Sequence, residues 1–222
     1  MKKLKRMLLI HWHYFSHKVI EFGNINFLTG KNSSGKSTIL DAMQLVLLGD
    51  TSGSFFNKAA SGKGTRTLTS YLQGELGDDE ESGFRYLRTG RFTSYIALEF
   101  YDEVKTSYFT CGCCFDTFGE NDCPRLFFLF DDIIPVNGFM KQNVPLSIEG
   151  LRAFIRSNYT AGHSYTTNVN RDFRENLCGK LGGLQPKRFS ELLRKATALK
   201  LDDKEMNIQK FITEFVCSEE KR

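Results

Sequence analysis

Several features that would classify this sequence are scarce, since its 222 residues include only four prolines, one tryptophan and six cysteines. No apolar run approaches the roughly 18 residues that a membrane-spanning helix requires, which excludes a conventional membrane span. The basic start, residues 1–6, leads into His11, His13 and Lys18 without a small-residue cleavage site, so we do not expect a secretory signal. Charge of one sign is also lacking, because 30 basic residues oppose 26 acidic ones and leave a net charge of +4. That balance indicates neither a nucleic-acid partner nor a disordered tail.

The cysteines are too few and too irregularly spaced for a disulfide scaffold, which agrees with a cytoplasmic protein. Cys111 and Cys114 have the C-x-x-C spacing that is typical of metal and redox sites. Residues 108–115 predict a β-strand, however, and a strand directs Cys111 and Cys113 to one face and Cys114 to the other. We therefore interpret these cysteines as small apolar strand residues.

Phenylalanine is the residue in excess, with 20 copies beside eight tyrosines and one tryptophan. The length of the chain corresponds to about one and a half domains. Many of the phenylalanines fall between positions 84 and 130, and two more lie at 211 and 215. We expect some of them to form apolar surface for a partner, since large exposed apolar patches mark interfaces.

A phosphate-binding motif lies near the start of the chain. Residues 30–38 read GKNSSGKST and fit the pattern G-x-x-x-x-G-K-[S/T]. The apolar residues 25–29 predict a short strand before this loop, and apolar residues at helical spacing predict a helix over 36–48 that Gly49 ends. A strand, a glycine loop and a helix in this order let backbone N–H groups surround the phosphates of a nucleotide.

The residue types within the motif have separate expected roles. Gly30 and Gly35 allow backbone conformations that a Cβ would exclude. Lys36 is expected to reach the β- and γ-phosphates, and the Ser37 hydroxyl to bind Mg²⁺. Thr38 is placed to contact the α-phosphate side. The sequence therefore predicts a site for ATP and Mg²⁺ formed by Gly30, Asn32, Ser33, Ser34, Gly35, Lys36, Ser37 and Thr38.

Hydrolysis also needs an acidic partner for the metal, and one candidate follows an apolar stretch. Residues 126–130 predict a strand that ends at Asp131 and Asp132, as a Walker B strand does. In a self-contained P-loop NTPase or kinase, Asp131 would complete the Mg²⁺ site and Asp132 would polarise water. The alternative is a buried strand followed by an acidic turn, because Asp is common where turns begin. The residues alone leave both interpretations open.

Residues 8–15, 20–22 and 25–42 together resemble the opening of SMC and RecF-type ATPase heads. Those heads share two antiparallel strands, an N-F-L-x-G-x-N-x-x-G-K-S-T loop and an acidic, alanine-containing start of the next helix. The resemblance implies an α/β P-loop NTPase fold of the ABC/SMC type. This chain would be the N-terminal head lobe, with a mixed β-sheet, an antiparallel β meander and a C-terminal helical part leading to a coiled coil.

The continuation resembles a narrower group. Residues 55–60, 66–75 and 92–100 look like the MukB-like branch, and within it the SMC-like subunit of bacterial Wadjet plasmid-defence systems. In such heads the C-terminal lobe supplies the signature motif and the Walker B acid. The resemblance therefore implies that this chain alone is nearly inactive as an ATPase. It also implies that the acids at 131–132 form an acidic turn that looks like a Walker B motif only by chance.

The same resemblance implies partners and a place in the cell. The partners would be the C-terminal lobe of the same head, a second SMC head in a homodimer, a kleisin with accessory subunits, and DNA, with no membrane. ATP binding and hydrolysis would be coupled to DNA engagement or loop extrusion, in chromosome organisation or in anti-plasmid defence. The expected location is the cytoplasm, in association with the nucleoid.

Two further sites follow from the resemblance. Arg66 falls near the arginine loop of SMC heads and is a candidate DNA contact, the alternative being a solvated arginine at a helix start. Gln185 has the setting of a Q-loop glutamine, which would bind Mg²⁺ and the attacking water as a catalytic residue. Gln209 is the rival for that role. A third functional class, an ATP-sensing module whose role is partner docking, remains a further alternative.

The chain divides into an expected ATP-binding lobe with a meander, residues 1–146, and an expected helical part, residues 147–222. An acidic solvated loop is predicted over 77–83. Apolar residues at helical spacing over 205–217 predict an amphipathic helix, interpreted either as the root of a coiled-coil arm or as a frayed terminus. The strands are predicted over 4–14, 18–22, 25–29, 92–101, 105–115 and 125–130, and the helices over 36–48, 66–74, 147–157, 168–179, 187–200 and 205–217.

Overall fold

The computed structural model describes residues 1–31, 34–56, 67–79, 83–119 and 123–198. The strands are β1 (Lys2–Trp12), β2 (Phe15–Glu21), β3 (Glu75–Asp79), β4 (Gly83–Tyr86), β5 (Phe92–Asp102), β6 (Ser107–Thr117), β7 (Arg125–Phe130), β8 (Met140–Lys141), β9 (Val144–Pro145) and β10 (Ser164–Thr167). The helices are α1 (Lys36–Leu48), α2 (Leu68–Gln73), α3 (Ile148–Asn158), α4 (Asn170–Lys180) and α5 (Pro186–Ala198).

Six strands form one antiparallel sheet in the order β10-β7-β6-β5-β1-β2. The central strands are apolar runs that are buried on both faces. In β1, Met7 and Leu9 pack into one core cluster, while Leu8 and Ile10 pack into another on the opposite face. Because successive side chains of a strand point to opposite faces, an uninterrupted apolar run of this kind can be buried on both sides of the sheet.

Helices cover both faces of the sheet, so that the protein has three layers. One core cluster receives Leu45 from α1, Tyr71 from α2 and Phe173 from α4. The other receives Leu151 and Ile155 from α3. No helix within the described ranges combines the length and the apolar character that a membrane crossing needs.

Most of the predicted elements are confirmed, because their apolar period is long enough to specify them. Residues Cys111 and Cys113 lie in one core cluster and Cys114 in the other, as the predicted strand requires. The predicted ranges that correspond to an element of the structure, within about three residues at each end, are 4–14, 18–22, 36–48, 66–74, 92–101, 105–115, 125–130, 147–157, 168–179 and 187–200.

The strand predicted over 25–29 is wrong, and so is the mixed sheet that would have contained it. These residues form no strand, and Ile25 and Phe27 are 79% and 85% exposed. Asn26 instead closes a turn, since its side chain accepts from the N–H of Gly23 at 2.8 Å and donates to the Gly23 carbonyl at 3.1 Å. A strand is stabilised by the ladder to its neighbour, and no strand in the described part of the chain pairs with this segment.

Two other predictions need correction. The predicted loop over 77–83 contributes to β3 and β4, which pair as a hairpin. The part after residue 147 is not purely helical, because β10 joins the main sheet beside β7. The predicted domain boundary at residue 146 stays a prediction, although β10, which follows it, pairs with β7, which precedes it. The predicted helix over 205–217 lies outside the described residues.

Candidate nucleotide-binding site

The two glycines of the phosphate-binding motif have the backbone conformations that the motif requires. Gly30 has φ of 148° and Gly35 has φ of 90°, a region that side chains disfavour. A Cβ on Gly30 would lie 2.6 Å from Ser34 Oγ, and one on Gly35 would lie 3.1 Å from the ring of Phe15. Conformation and space therefore both select glycine at these positions.

Lys36 lies inside the curve of the loop. Its Nζ donates to the carbonyl oxygens of Gly30 and Lys31 at 2.7 and 2.8 Å, and it lies 3.3 Å from Ser34 Oγ. An ammonium group that is surrounded by loop oxygens is placed where a phosphate oxygen would compete for the same N–H donors. Asn32 and Ser33 lie outside the described residues, so their predicted contacts stay predictions.

The start of helix α1 favours an anion. Its N-cap is Gly35, which has no side chain to accept from the first N–H groups, and no acidic residue lies in the first turn. The helix dipole adds partial positive charge at the same end. Lys36 and Ser37 are partly exposed there, whereas Thr38 is only 4% exposed. The site can therefore hold phosphate on N–H groups and an ammonium, with a hydroxyl available for a divalent cation.

Two buried contacts support α1 directly behind the loop, and sequence reasoning did not find them. The Trp12 indole Nε1 donates to the carbonyl of Thr38 at 3.0 Å. The Tyr71 hydroxyl donates to the carboxylate of Asp41, and both residues are fully buried. The signal in the sequence was an acidic residue, Asp41, among the apolar positions of a helix that faces a core.

Asp131 and Asp132 do not lie near the phosphate loop. Strand β7 is three positions from β1 in the sheet, which is about 14 Å. The antiparallel registers also place the end of β7 level with Arg6, about 20 Å along the strands from Trp12, which contacts α1. Both carboxylates are therefore outside metal-ligand reach of Ser37.

The contacts of these acids support the alternative, an acidic turn after a buried strand. Asp131 pairs with Lys180, and its carboxylate lies 3.2 Å from His163 Nδ1. Asp132 accepts from the N–H of Ile133 at 2.8 Å. The geometry of the sheet therefore does not support a self-contained P-loop enzyme that uses these two acids.

The remaining predicted site residues are not brought to the loop by the described contacts. Gln185 is exposed directly before α5, and its carbonyl accepts from the N–H of Phe189 at 2.9 Å. Helix α4, which precedes it, ends at Lys180 beside Asp131, at the end of the sheet away from the loop. Arg66 and Gln209 lie outside the described residues.

A cavity of about 740 Å³ lies elsewhere, between the first residues of β5 and the start of α3. His11, Phe92 and Asp116 are among the residues that line it, whereas none of the described residues of the phosphate loop does so. Burial lowers the pKa of His11, with a smaller lowering by Arg88, while the carbonyl of Thr93 opposes the shift. This cavity is therefore separate from the nucleotide site.

A family model described as the P-loop containing region of AAA domain matches residues 4–63, just over a quarter of the chain. No curated protein matches the chain. The matched range includes most of β1 and all of β2, the loop and α1, so the family comparison and the loop geometry concern the same part of the molecule. The protein has an α/β fold whose residues 4–63 match a P-loop region. P-loop NTPases in general bind a nucleotide with Mg²⁺ and hydrolyse it.

Proposed function

We propose that this protein is the ATP-binding half of an SMC-type ABC ATPase head, of the MukB-like, Wadjet-related kind. One observation supports this most directly. The phosphate loop is formed at the start of α1, yet the segment that leads into it, residues 22–30, is outside every sheet of the described chain and exposes Ile25 and Phe27. The phosphate-binding part of the nucleotide site is therefore formed, whereas the segment that leads into it pairs with no strand of the described chain.

The exposed segment has the pattern of a strand that needs a neighbour. Ile25 and Phe27 are two residues apart and would share one face of an extended strand. Leu40 on α1 is also 40% exposed, at the same end of the molecule as the loop. A C-terminal lobe that pairs with residues 25–29 would bury these side chains and would bring the missing acid toward Ser37.

The described residues supply binding groups more clearly than hydrolytic ones. Lys36 and the N–H groups of α1 bind phosphate, and Ser37 offers one oxygen to Mg²⁺. Asp131 and Asp132 are remote from that oxygen, so the acid comes from the partner lobe in this proposal. Gln185 as the Q-loop residue and Arg66 as a DNA contact belong to the same proposal.

The larger assembly extends the proposal. A second head would supply the signature motif across a homodimer interface, and a kleisin, accessory subunits and DNA would bind the assembled heads. ATP-driven engagement of the heads would then act on DNA in loop extrusion or in defence against plasmids. A coiled coil beyond α5 would connect the head to the rest of the molecule.

The first experiment measures ATP affinity and ATP turnover of the chain by itself. We expect ATP and Mg²⁺ to bind, and Lys36→Ala to weaken binding by about 10- to 100-fold, because one charge-assisted contact is lost. Lys31→Ala is the matched control, since only the backbone carbonyl of Lys31 contacts Lys36. Equal loss of affinity in both variants would contradict the assigned role of Lys36.

Turnover separates this proposal from a self-contained enzyme. We expect almost no ATP hydrolysis by the chain alone and no effect of Asp131→Asn or Asp132→Asn on ATP affinity. Steady hydrolysis by the monomer that either substitution abolishes would overturn the proposal. Addition of a C-terminal head lobe should raise turnover, and Phe27→Glu should reduce that stimulation without altering ATP binding to the chain alone.

A further inference from the structure

Tyr71 connects three elements behind the phosphate loop. Its hydroxyl donates to Asp41 on α1, and its ring stacks on Trp12 with a centroid separation of 4.6 Å and an interplanar angle of 6°. Its backbone carbonyl accepts from the N–H of His13 at 2.6 Å. The side chain is 1% exposed, so these contacts lie in the core.

The stacked pair contacts α1 at two successive turns. Trp12 Nε1 donates to the carbonyl of Thr38, and Tyr71 donates to the carboxylate of Asp41. Thr38 follows directly after Lys36 and Ser37, the residues that hold phosphate and metal in the proposed function. The orientation of the first turn of α1 is therefore set by two aromatic side chains, one on β1 and one on α2.

Helix α2 is in turn fixed to the connection between β1 and β2. Thr67 and Ser70 form a capping box at its start, and the helix ends at Gly74. Arg88 Nε donates to the carbonyl of Leu72 at 2.8 Å, and its Nη2 donates to the carbonyl of His13 at 2.6 Å. Burial lowers the pKa of Arg88 to about 10, which agrees with a guanidinium enclosed by these groups. Helix α2 and the β1–β2 connection thus form one unit.

We propose that Tyr71 is a positioning residue that couples α2 to nucleotide occupancy of the phosphate loop. This rests on the proposed nucleotide site. Phosphate bound at the start of α1 orders its first turn, and the order passes to α2 through the contacts of Thr38 with Trp12 and of Asp41 with Tyr71. The coupling is reciprocal, so an ordered α2 also strengthens nucleotide binding.

The contact of Tyr71 with Asp41 can be tested by the removal of a single oxygen atom. A buried carboxylate depends on its hydrogen-bond donors, because its charge is poorly solvated. Loss of the Tyr71 hydroxyl removes one donor and leaves the ring, so that packing against Trp12 is retained. The change therefore separates the hydrogen bond from the bulk of the core.

The experiment measures amide hydrogen exchange over residues 67–74 with and without saturating ATP and Mg²⁺, together with ATP affinity. In the wild-type chain ATP should slow exchange of α2 by about fivefold or more, within the usual range of coupling energies. Tyr71→Phe should abolish this protection and weaken ATP binding about fivefold. The matched control is Tyr95→Phe, since Tyr95 is also fully buried but donates to Leu146 on the opposite side of the sheet. It should keep both the protection and the affinity.

A second variant tests the other contact with α1. Trp12→Phe retains an aromatic ring but removes the donor to Thr38, and it should reduce the ATP-dependent protection of α2 in the same way. If ATP binds in a Lys36-dependent manner and exchange of α2 does not change, the coupling is overturned while the proposed function stands. Equal losses in Tyr71→Phe and Tyr95→Phe overturn it as well. If the wild-type chain binds no ATP, the proposed function is overturned together with the coupling.

Discussion

Phenylalanine is buried at the centre of the sheet but exposed in the segment before the phosphate loop. Phe127 on β7 is fully buried and stacks on Phe173 of α4 at a centroid distance of 4.4 Å. Phe27, next to the loop, is 85% exposed. The chain thus encloses the sheet without help but leaves the approach to its nucleotide site open. The difference identifies where a partner would contribute to stability and where it would not.

The phenylalanine excess is explained mainly by the enclosed side of this comparison. Some of the phenylalanines between positions 84 and 130, or at 211 and 215, were expected to form surface for a partner, but most of those in the meander lie in the two core clusters. Phe118, at 41% exposed, is an exception, and it packs against the guanidinium of Arg91 at 4.4 Å. Phe27 is the most exposed phenylalanine among the residues for which exposure is described. In the proposed function, the surface for a partner would therefore lie beside the loop and not in the meander.

The largest expected effect is a change in the free energy of unfolding, and it is tested by replacing phenylalanine with alanine at each of the two positions. Phe127→Ala should lower the free energy of unfolding by about 3–5 kcal/mol, because it removes a fully buried ring and leaves a cavity. Phe27→Ala should change it by less than about 0.5 kcal/mol. Urea denaturation followed by circular dichroism measures both values. Similar losses in the two variants would mean that the loop segment is already covered in the isolated chain.

A second pair of substitutions tests the sheet at its other side. Glu99 is 2% exposed, receives two hydrogen bonds from Arg6 at 2.9 and 2.5 Å, and accepts from the N–H of Ile134 at 2.8 Å. Glu99→Ala should cost about 2 kcal/mol, less than a fully buried pair would, because the Arg6 side chain is 33% exposed and water partly compensates it. Glu103→Ala, which removes the exposed partner of Lys3, is the control and should have no measurable effect. A large effect of the control would contradict this assignment.

A third test concerns the open side directly. The double substitution Ile25→Ser and Phe27→Ser should leave the unfolding curve unchanged and should decrease self-association at high protein concentration, since exposed apolar patches promote contacts between copies. Sedimentation velocity measures the change. Val104→Ser is a suitable control, because Val104 is 82% exposed in the turn after β5, away from the loop. The same decrease in the control would show that self-association does not depend specifically on the exposed residues beside the loop.

Local pattern predicted most of the fold, and the two glycines of the predicted phosphate-binding motif have the backbone conformations that the motif requires. Residues 36–48 carry apolar residues at helical spacing and residues 126–130 are a continuous apolar run, and the predicted helix over 36–48 and strand over 125–130 are confirmed at both ends. Residues 25–29 carry an apolar pattern as well, but a strand also requires a neighbour, which this part of the chain does not provide. The contact between Asp41 and Tyr71 joins positions 30 residues apart, and a sequence without tertiary contacts does not pair them.

The smallest expected effect is a pH dependence of stability that comes from His11 on β1 and not from His17 on the exposed edge strand β2. Burial lowers the pKa of His11 from its ordinary value of 6.5, so the folded state resists protonation where the unfolded state accepts a proton. The free energy of unfolding is therefore highest above pH 6.5, where His11 is neutral in both states. It decreases as the pH falls from 6.5 toward the folded-state pKa, because the unfolded state is then stabilised by a proton that the folded state does not bind. His11→Gln should flatten the dependence of the melting temperature on pH between 7.5 and 5.5, whereas His17→Gln, at an exposed position on edge strand β2, should not. Flattening of equal size in both variants would show that the slope does not come from the burial of His11.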